Sequence, residues 1–516
     1  MDFAGIVIWL IHSPEYRVHR SLLYGRSVAV APLSGRQCAD TLNWGKRPLV
    51  KSDKTLISVS QMSIMTIITI AGLRGLPAMA VLGWQSIVLY LIPAVMFFVP
   101  TALVSAELGS TYQGGVYQWV KEGLGQRWGF TAIWMQWIHN VVWYPAQLAF
   151  VAGALASACG LEGLSNSGLY VTAVIIVVFW WAIWLTLKGG NLFARVASTA
   201  GLIGTIIPAC LLLILGAAWL LTGQHISSTL TASSPIPNFT NIAGIALVVQ
   251  NVLAFGGMEV NAVHAQQMEE PRKYTRVIGI AFISALAIFI IPTLILAMVL
   301  PSNVNLSNGT VVAFQMMFQS FHLGFMGNVM GLAIVFGAVA SIVSWISGPS
   351  RGLYNAAQDG CLPDYFKTTN RSGAQSGILL SMGVIVTILA CLYVIFPSSV
   401  SMVFSLLIGM AVALYVMMYM LMFAASINLR RKHKTGNNGY RAPALYAMAV
   451  MGIIACVSAF VMTFVPAAGQ TGIPRWLYPV IAAIVVAMLT VPSVMLYRGP
   501  KSAKPHEVLS QTHKLS

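Results

Sequence analysis

Two charged residues stand inside otherwise apolar stretches. Arg74 lies in Ala71-Gly72-Leu73-Arg74-Gly75-Leu76-Pro77, and Glu259 closes Phe255-Gly256-Gly257-Met258-Glu259. A guanidinium holds a carboxylate through two parallel hydrogen bonds. A carboxylate faces an ammonium, closes a gate or takes up a proton. Both residues sit where a helix would be interrupted: glycine costs about 1 kcal/mol in a helix interior relative to alanine, and proline about 3. Unwound backbone frees N–H and C=O groups that bind a carboxylate or an ammonium. A glycine pair alone often serves only close packing. Two breaks at corresponding places in two halves of a chain, each with a charge, point instead to a binding site. The candidates are therefore Gly72, Arg74, Gly75, Phe255, Gly256, Gly257 and Glu259. One alternative stays open, a structural salt bridge between Arg74 and Glu259, because buried charges usually pair.

Aromatic residues offer a second kind of contact. Tyr415 and Tyr419 are four apart and share a helix face, and Trp345 lies late in another apolar stretch. An aromatic face can cover aliphatic carbons or stack on a cation, or it can anchor a helix at the membrane interface. His139 and His264 are more often packed, hydrogen-bonded residues than proton relays. Glu107 ends its stretch and reads as an interfacial contact. Cys38, Cys159, Cys210, Cys361, Cys391 and Cys456 include no CxxC pair, so neither a metal nor a redox motif is expected. No cofactor is expected.

The elements that position these groups follow from composition. Of 516 residues, 57% are hydrophobic and only 8% charged, against about 25% in an ordinary soluble domain. Such a surface faces a lipid bilayer. Stretches of roughly 20 apolar residues cross its core, and twelve are expected: 57–81, 86–107, 128–157, 168–187, 196–221, 242–266, 277–299, 325–346, 376–396, 401–428, 443–466 and 476–496. Backbone in lipid must satisfy its own polar groups, so these are helices. The fold class is an all-α integral membrane protein, with breaks in the first and sixth helices. Paired breaks indicate two inverted repeats, the first to fifth helices and the sixth to tenth.

A net charge of +16 would suggest nucleic acid in a soluble protein. Here the bases sit in alternate loops: Lys121 and Arg127; Lys188 and Arg195; Arg272, Lys273 and Arg276; Arg351, Lys367 and Arg371; Arg430, Arg431, Lys432, Lys434 and Arg441. Arg475 is an exception. This is the positive-inside bias. It predicts both termini in the cytoplasm and excludes nucleic acid as the partner. The expected organisation is a basic N-terminal arm, 1–54; a ten-helix core, 55–429, with repeats of about 55–222 and 241–429; two peripheral helices, 430–497; and a short cytoplasmic tail, 498–516.

Several stretches carry a family resemblance. They are Ala106-Glu107-Leu108 followed by Gly114-Gly115-Val116-Tyr117-Gln118-Trp119-Val120; Gly189-Gly190 and Ala194-Arg195-Val196-Ala197; Phe255, Gly257 and Glu259; Ser344-Trp345-Ile346-Ser347-Gly348-Pro349; and Tyr440-Arg441-Ala442-Pro443. In this order and spacing the chain resembles the amino acid–polyamine–organocation superfamily, most of all its bacterial glutamate/γ-aminobutyrate antiporter branch, over about 57–497. The resemblance implies ten core and two peripheral helices in a bacterial inner membrane. It also implies alternating access around a site between the first, sixth, eighth and tenth helices, with binding or gating roles for Glu259, Trp345 and Tyr419. The chain departs from that pattern twice. Ser341 stands where the antiporters carry a glutamate four residues before the tryptophan, and Arg74 where they carry an aromatic residue. An acid lost and a base gained favour carboxylate-bearing substrates over cationic ones. The tail after Arg498 is short for a pH-dependent plug.

The expected function is secondary transport of amino acids, glutamate/γ-aminobutyrate-like or neutral, by exchange. Proton-coupled symport is the alternative, with Glu259 as carrier. A sensor that moves nothing would often carry a large partner domain. An intramembrane enzyme would need a metal motif or a nucleophile–base pair, and neither is present in the sequence. No phosphate loop is present either, so ATP is not the expected direct energy source.

Overall fold

A computed structural model describes residues 58–112, 114–188, 199, 201–231, 234, 236–237, 252, 254–261, 268, 270, 273–301, 308–396, 400–432, 440–465, 474 and 476–498. The chain divides into two units, Met1–Lys54 and Thr55–Ser516. The first, with the arm expected there, lies outside the described residues. So do 499–516 of the tail, His264, Arg475 and most of the sixth expected stretch, 242–266.

Among the described residues the regular elements are helices, and eleven are long and apolar enough to cross a membrane. They are Val59–Ala80, Gln85–Thr111, Gln126–Ala158, Gly168–Lys188, Leu202–Leu221, Tyr274–Val299, Gly324–Gln358, Ser376–Ile395, Met402–Lys432, Leu445–Met462 and Leu477–Met495. Counting the stretch around Glu259 as the sixth, they are the first to fifth and seventh to twelfth spans. The expected boundaries hold to within a few residues in most of them. The eighth is the exception: expected to end near 346, it runs on to Gln358. Pro349 lacks one N–H, which removes a single helical hydrogen bond. The extra turns carry the helix out of the apolar layer to a polar anchor at Asp359.

Burial separates the spans by role. The third is 89% buried and the tenth 78%, against 28% and 22% for the eleventh and twelfth. The third and tenth therefore form the centre of the bundle, and the last two offer most of their apolar surface to lipid. Helices in a membrane approach through small residues, because lipid is as apolar as leucine. The fifth and eighth cross at Gly204 and Gly337, where a Cβ on Gly204 would lie 2.2 Å from the Gly337 Cα. Leu202–Ile206 of the fifth span, around that crossing, is a wide π-helical turn.

At the end of the bundle that carries the basic loops, a short helix, Gly115–Leu124, caps the centre. Lys121 Nζ lies 2.5 Å from Asp359 Oδ2, and the Tyr117 hydroxyl donates to the same oxygen at 2.6 Å. Burial by itself would raise the Asp359 carboxyl. The Lys121 and Tyr117 hydrogen bonds outweigh it and hold the group below its ordinary value. Glu107, at the end of the second span, accepts from the Ala442 N–H at 2.7 Å and pairs with Arg430 at 3.2 Å. Glu107 thus joins the second span to the end of the tenth and to the segment that follows it.

Candidate functional site

Both sequence breaks are breaks in the backbone. The first helix runs Val59–Ile70, leaves helical geometry at Ala71, makes a single tight turn at Leu73–Gly75, and resumes at Leu76–Ala80 with Pro77 in its first turn. Proline is tolerated there because that N–H has no helical partner. The Leu73 carbonyl accepts the Leu76 N–H within that turn and has a second acceptor position left. It accepts from Thr310 Oγ1 at 3.0 Å, at the start of the helix Gly309–Ser320. Gly72 and Gly75 are exposed, and a Cβ on either would meet nothing within 4 Å.

Around Glu259 the chain is non-helical at Gly256 and Gly257, and Gly257 has φ +115°. Glycine takes that conformation at no steric cost. A Cβ at Gly257 would also come within 3.1 Å of the Trp345 ring. The two breaks touch: Asn261 Nδ2 donates to Thr69 Oγ1 at 2.9 Å.

Glu259 is 1% exposed. The Tyr415 hydroxyl donates to Oε1 at 2.6 Å, Gln136 Nε2 donates to the same oxygen at 3.1 Å, and the Tyr419 hydroxyl donates to Oε2 at 2.5 Å. Tyr419 also accepts from the Gly257 N–H at 3.0 Å. A carboxylate has room for about four hydrogen bonds; among the described residues three side chains donate to this one, all of them neutral. No ion pair joins it to a base among the described residues.

A second layer fixes the tyrosines. His139 stacks on Tyr415, centroids 4.0 Å apart and planes within 8°. Its Nδ1 lies 2.8 Å from the Ala411 carbonyl oxygen, which assigns the proton to Nδ1. Trp345 meets Tyr415 edge-on at 6.5 Å, and Phe97 meets Tyr419 edge-on at 4.8 Å. The third, sixth, eighth and tenth spans thus converge on one carboxylate.

The structure brings together Gly257, Glu259, Trp345, Tyr415 and Tyr419 of the residues singled out in the sequence, with Gly256 beside them in the chain. Ser341 is half-buried, one helical turn before Trp345. Phe255 turns the other way. Its ring packs on Tyr90, Phe98 and Phe289 of the second and seventh spans, at 4.8 to 6.1 Å. Arg74 stands apart from Glu259. Its guanidinium lies 5.7 Å from the Phe404 ring, and Phe404 is 11 residues before Tyr415 on the tenth span, about 16 Å along a helix axis. The salt bridge left open by the sequence does not form among the described residues.

Sequence reading passed over Gln136 and set His139 low. A signal was there: Gln136, His139, Asn140 and Gln147 recur at helical spacing within one apolar span. Amides in lipid must find partners, so such a stripe must face the protein interior.

Comparison with known proteins agrees with this architecture. The family model described as amino acid permease matches residues 57–489. An uncharacterized transporter of Legionella pneumophila is 31% identical over 421 residues, 80% of this chain and 90% of its own length. A glutamate/γ-aminobutyrate antiporter of Lactococcus lactis is 28% identical, covering 73% of this chain and 77% of its own. A probable agmatine/putrescine antiporter of the same species is 25% identical, covering 72% and 78%. Membership of a permease family makes this a multi-pass membrane transporter of amino acids or related amines rather than an enzyme. The family match spans far more than half of the sequence, and the chain belongs to the amino acid permease family.

Proposed function

We propose that the chain is a secondary amino acid antiporter of a bacterial inner membrane. It exchanges glutamate/γ-aminobutyrate-like or neutral amino acids by alternating access, with both termini in the cytoplasm and two inverted five-helix repeats around the site. The observation that carries this reading is the Glu259 carboxylate, buried at a helix break and held by donors from the third and tenth spans. Transport needs a contact that exists in one state of the bundle and is lost in another. The hydrogen bonds from Tyr415, Tyr419 and Gln136 are such a contact, since they tie the broken sixth segment to two long helices.

In this reading the backbone freed at Gly72, Gly75, Gly256 and Gly257 receives the substrate's carboxylate and ammonium. Trp345 and Tyr415 cover its carbon chain, Ser341 borders it one turn away, and Glu259 with Tyr419 forms the gate beneath. The antiporter names of two relatives support exchange. The absence of a basic partner for Glu259 among the described residues favours one second reading, in which the carboxyl carries a proton in symport.

Counterflow in proteoliposomes decides between them. Uptake of labelled glutamate or γ-aminobutyrate only into vesicles loaded with amino acid supports exchange. Uptake into empty vesicles, driven by an imposed pH gradient and lost in Glu259→Gln, supports symport. No uptake of any amino acid under either regime overturns both.

A further inference from the structure

Arg74 has no acidic partner among the described residues, whose ion pairs take Lys121, Lys273, Lys367 and Arg430. The rest of the sequence offers it little. Outside the described residues, Asp and Glu occur only within 1–57, at Glu269 and at Glu507. The chain direction also sets Arg74 at the other end of the bundle from the basic loops. Tyr393 lies near the end of the ninth span, which starts after the Lys367 and Arg371 loop, and Phe404 near the start of the tenth, which ends at Lys432.

Beside the guanidinium lies a second unsatisfied group. Tyr393 is 0% exposed, and its hydroxyl has no hydrogen-bond partner among the described residues. It is in electrostatic reach of Arg74. Buried hydroxyls are nearly always hydrogen-bonded, and a guanidinium has five donors in a planar fork. An unpaired guanidinium over the Phe404 ring, with an unpaired O–H in its electrostatic reach, has the donors and the charge to hold an anion. The ring covers one face of the guanidinium and leaves the edges of the fork for the ligand. Gly72 and Gly75, on either side of Arg74, are exposed and present no side chain beside it.

We propose that Arg74 and Tyr393 form an anion subsite, on a different level of the bundle from the Glu259 cage, that takes a carboxylate. Building on the transport reading, it holds the side-chain carboxylate of an acidic amino acid before or while the rest of the molecule engages the broken helices. The same chemistry would bind chloride, and the experiment separates the two sources.

The first measurement needs no transport. Thermal unfolding of the purified full chain in nanodiscs is followed while sodium acetate or sodium chloride replaces sodium methanesulfonate, which has no carboxylate. The wild type should rise in Tm with acetate, and Arg74→Gln and Tyr393→Phe should not. Arg74→Lys keeps the charge but loses the fork, and should keep part of the rise. Size-exclusion profiles confirm that each variant is folded.

The second measurement is equilibrium binding of labelled L-glutamate and L-alanine. Arg74→Gln and Tyr393→Phe should each weaken glutamate by about tenfold, the worth of a charged hydrogen bond, and move alanine by less than threefold. Glutamate binding that weakens as chloride rises, in the wild type but not in Arg74→Gln, would make chloride a competing occupant of the same subsite. Independence from chloride would assign the subsite to the carboxylate alone. Equal effects of both variants on glutamate and alanine, or an anion-dependent Tm that persists in them, would overturn the proposal. If the wild type binds no amino acid while acetate still raises Tm through Arg74 and Tyr393, the transport reading fails and the anion subsite stands.

Discussion

The Tyr419 hydroxyl lies 2.5 Å from Glu259 Oε2 and 3.0 Å from the Gly257 nitrogen, so one side chain of the tenth span satisfies both the carboxylate and the freed backbone of the sixth. Tyr415 makes a single contact with the same carboxylate, at 2.6 Å to Oε1. The two tyrosines are therefore not equivalent, although they share a helix face.

Tyr419→Phe should be the more harmful change. It strips a donor from Glu259 and an acceptor from the Gly257 N–H. Leaving buried polar groups unsatisfied costs about 1–3 kcal/mol, roughly a five- to hundredfold effect on an equilibrium between bundle states. Initial counterflow rates in proteoliposomes should fall by at least tenfold for Tyr419→Phe and by less for Tyr415→Phe, with both variants folded. Equal rates for the two would remove the distinction.

Gly257→Ala should abolish transport without preventing folding. The backbone at φ +115° disfavours any Cβ, and the Trp345 ring lies 3.1 Å from where one would stand. Trp345→Ala frees the space but not the backbone, so the double variant should recover little. Recovery to near wild-type rates would show that steric contact alone matters.

Gly337→Ala should act on stability. The Cβ would fall 2.5 Å from the Gly204 backbone, where no side chain can give way, and overpacking costs about 1–3 kcal/mol or more. The monodisperse fraction on size exclusion should drop sharply, and the Tm of what remains should fall. Unchanged yield and Tm would mean that the two spans cross less closely.

Asp359 sets a pH dependence at the loop end. Its carboxyl is held below its ordinary value in the folded protein by Lys121 and Tyr117 despite burial. A depressed carboxyl contributes stability that is full above its unfolded-state pKa and is lost as pH falls through the folded value. The pair is partly exposed, so its worth is about 0.5–1 kcal/mol. Asp359→Asn should lower Tm slightly at pH 7, and the difference should shrink below about pH 4. A gap that grows on acidification would contradict the sign.

His139→Phe keeps the stack on Tyr415 and loses the hydrogen bond to Ala411, whereas His139→Ala loses both. Transport should survive partially in the first and fail in the second if the ring's work is to hold Tyr415 in place. Full activity in His139→Ala would remove that role.

Much of this molecule could be read in one dimension. A run such as Ser376–Ile395 can only be a helix in lipid, because its backbone has no other partner, and the glycines at 72, 75, 256 and 257 mark breaks because their helical cost is local. Glu259, Tyr415 and Tyr419 stood out because polar groups are costly in an apolar layer. Sequence could not say which way each side chain points once helices cross. Phe255 lies four residues from Glu259, yet it turns to Tyr90, Phe98 and Phe289. Gln136, 123 residues before Glu259, reaches the carboxylate. Arg74 stands level with Phe404 rather than with Glu259. Apolar positions that face lipid and those that face another helix look alike along a chain, since neither environment offers a hydrogen bond. Only the crossing of the third, sixth, eighth and tenth spans decided which polar groups meet.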